Sequence, residues 1–415
     1  MAKKRGDAEA GALKIEWARA HMPVTAMLRR RFARSKPLKG VPMAMALHLE
    51  AKTAVLVLAL RDAGANVRVA GCNPLSTDDD VARALVERYG VEAFGHKGED
   101  TKEYYAALDA VLDIKPKVIV DDGADLIHIL HTRRQSDLKR VVGANEETTT
   151  GIVRLRAMEK EGALLFPVID VNNARMKHLF DNRYGTGQSV FDGIFAATNL
   201  LVAGKCVVVV GYGWCGRGIA MRADGLGARV VVCEVDPVKA LEAVMDGYEA
   251  KPMAQAVKEA DFIITATGVN DIIRPEHLRV IKDGCVLANA GHFNVEVAPE
   301  VLAKASKRVR KVRGAVDAYT LKDGRTVYLL SDGRLVNLAA GQGHPVEIMD
   351  MSFAVQYRCA VKLWNERGSM KAGVHPVPDE VDDEVARTKL ASMGAAIDEL
   401  TPAQQKYISS WQEGT

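Results

Sequence analysis

The run Cys206-Val-Val-Val-Val210 leads directly into Gly211-Tyr212-Gly213-Trp214-Cys215-Gly216. Glycine-rich turns are common, and the spacing G-x-G-x-x-G alone fixes little. Here a buried-strand pattern precedes it and a helical pattern follows. A second strand, ARVVVC, then ends in an acid, Glu234. Together these features define a βαβ unit built around a dinucleotide. Gly211 permits the tight turn, Gly213 lets the backbone approach a pyrophosphate, and Gly216 lets the helix pack closely on the sheet. The helix start, with Tyr212, Trp214 and Cys215, offers backbone N–H groups to the phosphates. Glu234 suits the adenosine ribose hydroxyls and repels a 2′-phosphate, so NAD is expected over NADP, although Lys239 nearby leaves NADP open.

Similar short β-branched runs recur along the 415 residues: ANVRVAG, PKVIVDDG, ALLFPVIDVNN, ADFIITATG and GCVLANAG. Each ends in Gly, Asp or Asn and alternates with helical patterns, which implies parallel sheets covered on both faces. The predicted fold is α/β, with two Rossmann-like doubly wound domains and a short C-terminal helical segment. The expected division is a discontinuous substrate-binding domain (1–185 and 345–377), an NAD-binding domain (186–344) and an oligomerisation segment (378–415). After Pro345 a helical run is expected, then a Pro-rich passage, VHPVPDE, and a final helix.

A net charge of +3 argues against a nucleic-acid or membrane surface, and the basic runs MAKKR and LRRRFARSKP read as solvated faces. Six scattered cysteines without a C-x-x-C pair read as reduced core thiols. No apolar stretch approaches a membrane span and no signal-peptide core is evident, so a soluble cytoplasmic protein is expected.

Polar clusters outside the glycine motif carry the remaining signal. They are Asp121-Asp122-Gly-Ala-Asp125 with His128, Glu146-Glu147-Thr148-Thr149-Thr150, Asn172 to Lys177 running into Phe180-Asp181-Asn182, Ala290-Gly291-His292-Phe293, and Gly333 to His344. Each has an ordinary alternative. Asp at a strand end caps helices, and Lys177 with Asp181 at i, i+4 is a common surface pair. A metal site from Asp121, Asp125 and His128 lacks a complete ligand set, and no metal is expected.

In combination, DDGADL, EETTTG, FDNRYG, GYGWCGRG, EVDP, NAGHF and GRLVNL…GHP resemble the adenosylhomocysteinases (S-adenosyl-L-homocysteine hydrolases) from about His48 to Trp411. That resemblance implies a redox-neutral hydrolase with bound NAD. The substrate's 3′-hydroxyl is oxidised, the C4′ proton becomes acidic, homocysteine leaves by elimination, water adds, and the ketone is reduced again. By matching motifs, Lys177 and Asp181 bind the ribose hydroxyls, and Lys177, its pKa lowered in an apolar site, helps take the 3′ proton. Asp122 lies near C4′, Glu147 binds the ribose, and His48 and His292 flank the departing sulfur and the water. Thr148, Thr149, Thr150, Asn182, Ala290, Gly291, His292 and Asn337 contact NAD, and His344 falls at a gate between domains that touches both ligands. A homotetramer is the family expectation, with homocysteine and inosine or adenosine as small-molecule partners.

Two departures stand out. Many members read His-x-Thr-x-Glu or His-x-Thr-x-Gln where this chain has His48-Leu-Glu50-Ala-Lys52. On a helix, residues two apart do not face each other, so Glu50 and Lys52 are not expected to pair. An ionised carboxylate only accepts and an ammonium only donates. Glu50 therefore suits the N1–H of hypoxanthine and Lys52 its O6, as in the archaeal-like branch that includes S-inosylhomocysteine hydrolases. The alternative is that Lys52 points away and adenosine binds through Glu50. The second departure is the ending, Ser409 to Thr415, which lacks the Lys/Tyr tail that many members extend to a neighbouring subunit's NAD.

Overall fold

The computed structural model describes residues 6–292 and 294–412. The MAKKR run, Phe293 and residues 413–415 lie outside the described residues. In chain order the strands are β1 (Pro42–Leu47), β2 (Asn66–Gly71), β3 (Glu92–Phe94), β4 (Val118–Asp121), β5 (Gly143–Glu146) and β6 (Pro167–Asp170). They continue with β7 (Cys206–Val210), β8 (Arg229–Cys233), β9 (Glu249–Ala250), β10 (Phe262–Thr265) and β11 (Val286–Asn289). The last are β12 (Ser306–Arg313), β13 (Val316–Leu321), β14 (Thr326–Leu330) and β15 (Gly373–Pro376).

Two sheets result. The first has seven parallel strands in the order β15-β6-β5-β4-β1-β2-β3. The second has eight, β12-β13-β14-β11-β10-β7-β8-β9, parallel except for the antiparallel pairs of β12 and β13 at one edge. In the second sheet the β12–β14 meander turns the order back at the edge, and both sheets reverse their strand order beside their first strand, between β1 and β4 and between β7 and β10. In such sheets ligands bind at the carboxyl ends of the strands beside that reversal.

Alternation of buried side chains explains the layering. Met43, Met45 and Leu47 of β1 enter one core while Ala44 and Ala46 enter the other. Likewise Val207 and Val209 of β7 pack on one face, and Val208 and Val210 on the opposite one. Strands buried on both faces must be apolar throughout, which is why these runs are so uniform.

The helix Val346–Asn365 crosses back from the second sheet onto the first, burying Met349, Phe353 and Tyr357 in the core beneath β1. VHPVPDE is not simply a Pro-rich passage. Its first residues form β15, which pairs with β6 at the sheet edge, where Pro376 does not interrupt a ladder on both sides. The following helix, Asp379–Ser392, buries Val381 and Val385 against the same core, whereas the helix Pro402–Ser409 buries nothing in this chain. Among the described residues no helix is long and apolar enough to cross a membrane. The cysteines form no disulfide, and five of the six are buried.

Candidate active site

The carboxyl ends of both sheets face one cavity. His48, Glu50 and Lys52 follow β1, Asp122 follows β4, and Glu147 and Thr148 follow β5. Lys177, Asp181 and Asn182 come from the segment after β6, while Cys215, Ala290, His292, Asn337 and His344 reach the cavity from the second sheet's side. Residues 178–185 form a π-helical turn, a wide turn that re-aims side chains and is frequent at functional sites.

One end of the cavity holds Lys177. Its Nζ lies 3.1 Å from Asp181 Oδ1 and 3.6 Å from Glu147 Oε1, and donates to Asn182 Oδ1 at 3.0 Å. Burial pushes its pKa down, but Asp181 and Glu147 outweigh burial and the net shift is upward. The sequence-based expectation of a lowered pKa is therefore corrected. Asp181, visible at i, i+4, contributes most to the rise, and Glu147 adds to it from the end of β5, which residue spacing around Lys177 does not reveal. Burial pushes Glu147 up to about 7, partly offset by Lys177. Asp181 sits below the usual carboxylate range because Lys177 and His344 overcome its burial.

Residues not assigned from sequence complete this end. Ser352 Oγ donates to Asp181 Oδ2 at 2.9 Å, and Gln356 Nε2 donates to Glu147 Oε2 at 2.6 Å. Both lie on the helix Val346–Asn365, four residues apart, among other polar residues such as Asp350 and Arg358, so the sequence does not mark them. Asp382, on the helix after β15, accepts from the backbone N–H groups of Arg175 and Met176 at 2.8 and 2.9 Å and so anchors the turn carrying Lys177.

The middle of the cavity holds Asp122 between two imidazoles. His48 Nε2 is 3.5 Å from Asp122 Oδ2, and His292 Nδ1 is 3.8 Å from Oδ1. Burial pushes His48 down to about 4. Cys72, another residue without a role assigned from sequence, lies 3.3 Å from His48 Nδ1 and 3.4 Å from Asp122 Oδ2, and burial pushes its thiol up. Beneath this cluster Glu146 accepts from the backbone N–H groups of Gly123, Ala124 and Thr148 at 2.8, 3.0 and 3.0 Å, shaping the loop that presents Asp122.

At the other end, Glu50 is the N-cap of the helix Ala51–Asp62, in extended conformation, and accepts from Lys52 N at 3.2 Å. Because the cap is not helical, the helical spacing rule does not apply there. Its carboxylate lies 3.1 Å from Lys52 Nζ, so the two do pair, contrary to expectation. Lys52 also donates to the backbone carbonyls of Gln342 and His344, at 2.8 Å each. The His344 ring meets Asp181 Oδ1 at 3.2 Å and Thr186 Oγ1 at 3.3 Å.

The remaining candidates sit around the second sheet's rim. Gly211 has φ +95°, and a Cβ on Gly216 would fall inside the Gly211 carbonyl oxygen, so both positions demand glycine. Gly213 N-caps the helix Trp214–Gly225, and a Cβ there would meet open space above the helix start, room for a phosphate. Glu234 accepts from the N–H of Tyr212 at 2.7 Å, and this bond with those from the N–H groups of Val235 and Asp236 holds its pKa low despite burial. Tyr212 turns its hydroxyl away, to Asp246, leaving only backbone for a ligand. Thr149 is engaged by Asn172, whereas Thr150 Oγ1 and Asn337 Oδ1 are buried without a hydrogen-bond partner. Gly291 follows β11 with its N–H on Asn289. Such orphaned polar atoms are costly unless a ligand meets them, and they fit a dinucleotide.

The fold and this cavity define an NAD-dependent enzyme whose site combines a cation between carboxylates with an acid between two imidazoles. Residues 182–343 match the model of the S-adenosyl-L-homocysteine hydrolase NAD-binding domain, and residues 2–142 match that of S-adenosyl-L-homocysteine hydrolase itself. Adenosylhomocysteinase of Thermoplasma acidophilum is 55% identical over 405 residues, covering 98% of this chain and 99% of that one. S-inosyl-L-homocysteine hydrolase of Methanopyrus kandleri is 56% identical, covering 97% of this chain and 95% of that one. The corresponding Methanocaldococcus jannaschii hydrolase is 54% identical, covering 98% and 97%. The chain belongs to the S-adenosyl-L-homocysteine hydrolase family, and NAD is its cofactor.

Proposed function

We propose that this enzyme reversibly hydrolyses the thioether of a nucleosyl-homocysteine, with S-inosyl-L-homocysteine preferred to S-adenosyl-L-homocysteine. The single observation that carries the preference is the carboxylate–ammonium pair of Glu50 and Lys52 at one end of the cavity. A carboxylate accepts the hypoxanthine N1–H, and the adjoining positive charge favours O6 over an exocyclic amino group. A direct Lys52–O6 bond requires Lys52 to release one of its present acceptors. Relatives of near-equal identity carry both names, so sequence similarity does not choose between the two bases.

Bound NAD supplies the acceptor and later the donor of the 3′ hydride, so turnover is redox-neutral. Asp181 and Lys177 grip the ribose hydroxyls. Lys177 passes the 3′-hydroxyl proton to Glu147, whose pKa of about 7 makes it the carboxyl able to hold and return it at neutral pH. Asp122 takes the C4′ proton, with His48 and His292 on either side of the sulfur and the incoming water. Thr148, Thr150, Asn182, Asn337 and the Gly211–Gly216 turn hold the dinucleotide, and Glu234 its adenosine ribose.

The division at about residues 185 and 345 separates a substrate-binding domain from an NAD-binding one, and residues 378–415 serve assembly into a homotetramer in the cytoplasm. The apolar side chains left exposed beyond residue 392, such as Ile408 and Trp411, support that last role. The test of the substrate reading is thioether formation from homocysteine with inosine and adenosine in competition. Faster coupling of inosine is expected, and faster coupling of adenosine refutes the preference.

A further inference from the structure

We propose that Lys52 is a positioning residue: its ammonium straps the Gly341–His344 segment across the base end of the cavity and so sets where His344 meets Asp181. This rests on the substrate reading above for its kinetic consequences only.

An ammonium has three N–H groups. Those of Lys52 face three acceptors, Gln342 O and His344 O at 2.8 Å and Glu50 Oε2 at 3.1 Å. The side chain is buried, at 6% exposure, so protein acceptors meet its charge. Two carbonyls from one short segment converge on one cation, and the carboxylate beside it balances the charge. A buried ion pair persists only when its remaining hydrogen bonds are met, and here the strap's own backbone meets them. The other anchor of the segment is the Gly343 N–H on Asn337 O, at 2.8 Å. Between these anchors His344 leaves the backbone that Lys52 holds, and its ring reaches Asp181 and Thr186.

A residue that only read the base would affect one nucleoside. A strap acts on the ribose end whichever base is bound. The direct base reader at this end is then Glu50, with Lys52 acting on the base through it.

The decisive variant is Lys52→Ala, because the atoms removed correspond to n-propylammonium. We expect kcat to fall about 10- to 100-fold for inosine and adenosine alike, the scale of a misplaced group near the chemistry. The inosine rate should fall at least as far as the adenosine rate, because the ammonium also favours O6, so the loss with adenosine is what reads the strap. Millimolar n-propylammonium should restore both rates, and 1-propanol neither. Backbone amides of residues 341–348 should exchange faster with deuterium in the variant, a readout independent of turnover.

Loss of inosine coupling alone overturns the strap, as does equal loss with no rescue, or unchanged amide exchange. Should Lys52→Ala fail to fold, Lys52→Met keeps the buried stem, and the adenosine rate and amide exchange decide. A wild-type enzyme that prefers adenosine would refute the substrate preference while leaving the exchange test of the strap intact.

Discussion

Replacing Asp382 by alanine should damage a site that its side chain never enters. Its carboxylate accepts the backbone N–H groups of Arg175 and Met176, at 2.8 and 2.9 Å, and is itself buried. Truncation leaves both donors without partners, and a buried unsatisfied donor costs about 1–3 kcal/mol. Arg175 is exposed enough for water to reach its N–H, so its share falls near the lower limit. Met176 is buried and bears the larger share. The sum is about 3–4 kcal/mol, a sizeable part of the ~5–15 kcal/mol that keeps a domain folded. Because Lys177 is the next residue, the loosened turn should also lower kcat about 10- to 100-fold. Urea unfolding monitored by circular dichroism, with steady-state kinetics on the same samples, measures both. Asp383→Ala is the control: its exposed carboxylate lies 3.8 Å from Arg175 and is worth less than about 1 kcal/mol. An Asp382→Ala enzyme within about 0.5 kcal/mol of the wild type, or one no weaker than the control, would refute this reasoning.

Three further outcomes follow from the same geometry. Lys177→Met should abolish turnover while leaving the circular dichroism spectrum unchanged; retained turnover would remove Lys177 from the chemistry. Glu147 is protonated below its pKa of about 7 and then cannot receive a proton, so kcat should fall about tenfold per pH unit below that value. Glu147→Gln should be slow at every pH and lack that limb, which a pH–rate profile shows directly. Glu234→Ala should weaken NAD binding about 10- to 100-fold by fluorescence titration, the range expected for hydrogen bonds to a charged acceptor.

How much of this was legible in the sequence depends on whether a feature is local. Strands buried on both faces must be apolar, so β4, β7, β10 and β11 announce themselves, whereas β1 does not read as a strand because its apolar run merges with that of the next helix. Gly211 and Gly216 are demanded by one turn and are visible as spacing. β15 was hidden because four residues with a proline resemble a linker until β6 is there to pair with them. The Glu50–Lys52 pair was misjudged because a cap departs from helical geometry at the residue where helical spacing was applied. The Lys177 shift was misjudged because Glu147 reaches it from the end of β5 and adds to the Asp181 already visible at i, i+4. Ser352, Gln356 and Asp382 were passed over because polar residues scattered through a helix look like surface until the fold shows them buried.

The central claim is that a 3′-ketone forms transiently and acidifies C4′. Its most direct test is incubation of the NAD-loaded enzyme with inosine in D2O, without homocysteine, followed by mass and NMR analysis of the recovered nucleoside. Deuterium at C4′, with no net accumulation of NADH during turnover, is the predicted result. A nucleoside that returns without deuterium, or NADH accumulating in proportion to substrate consumed, would contradict the account.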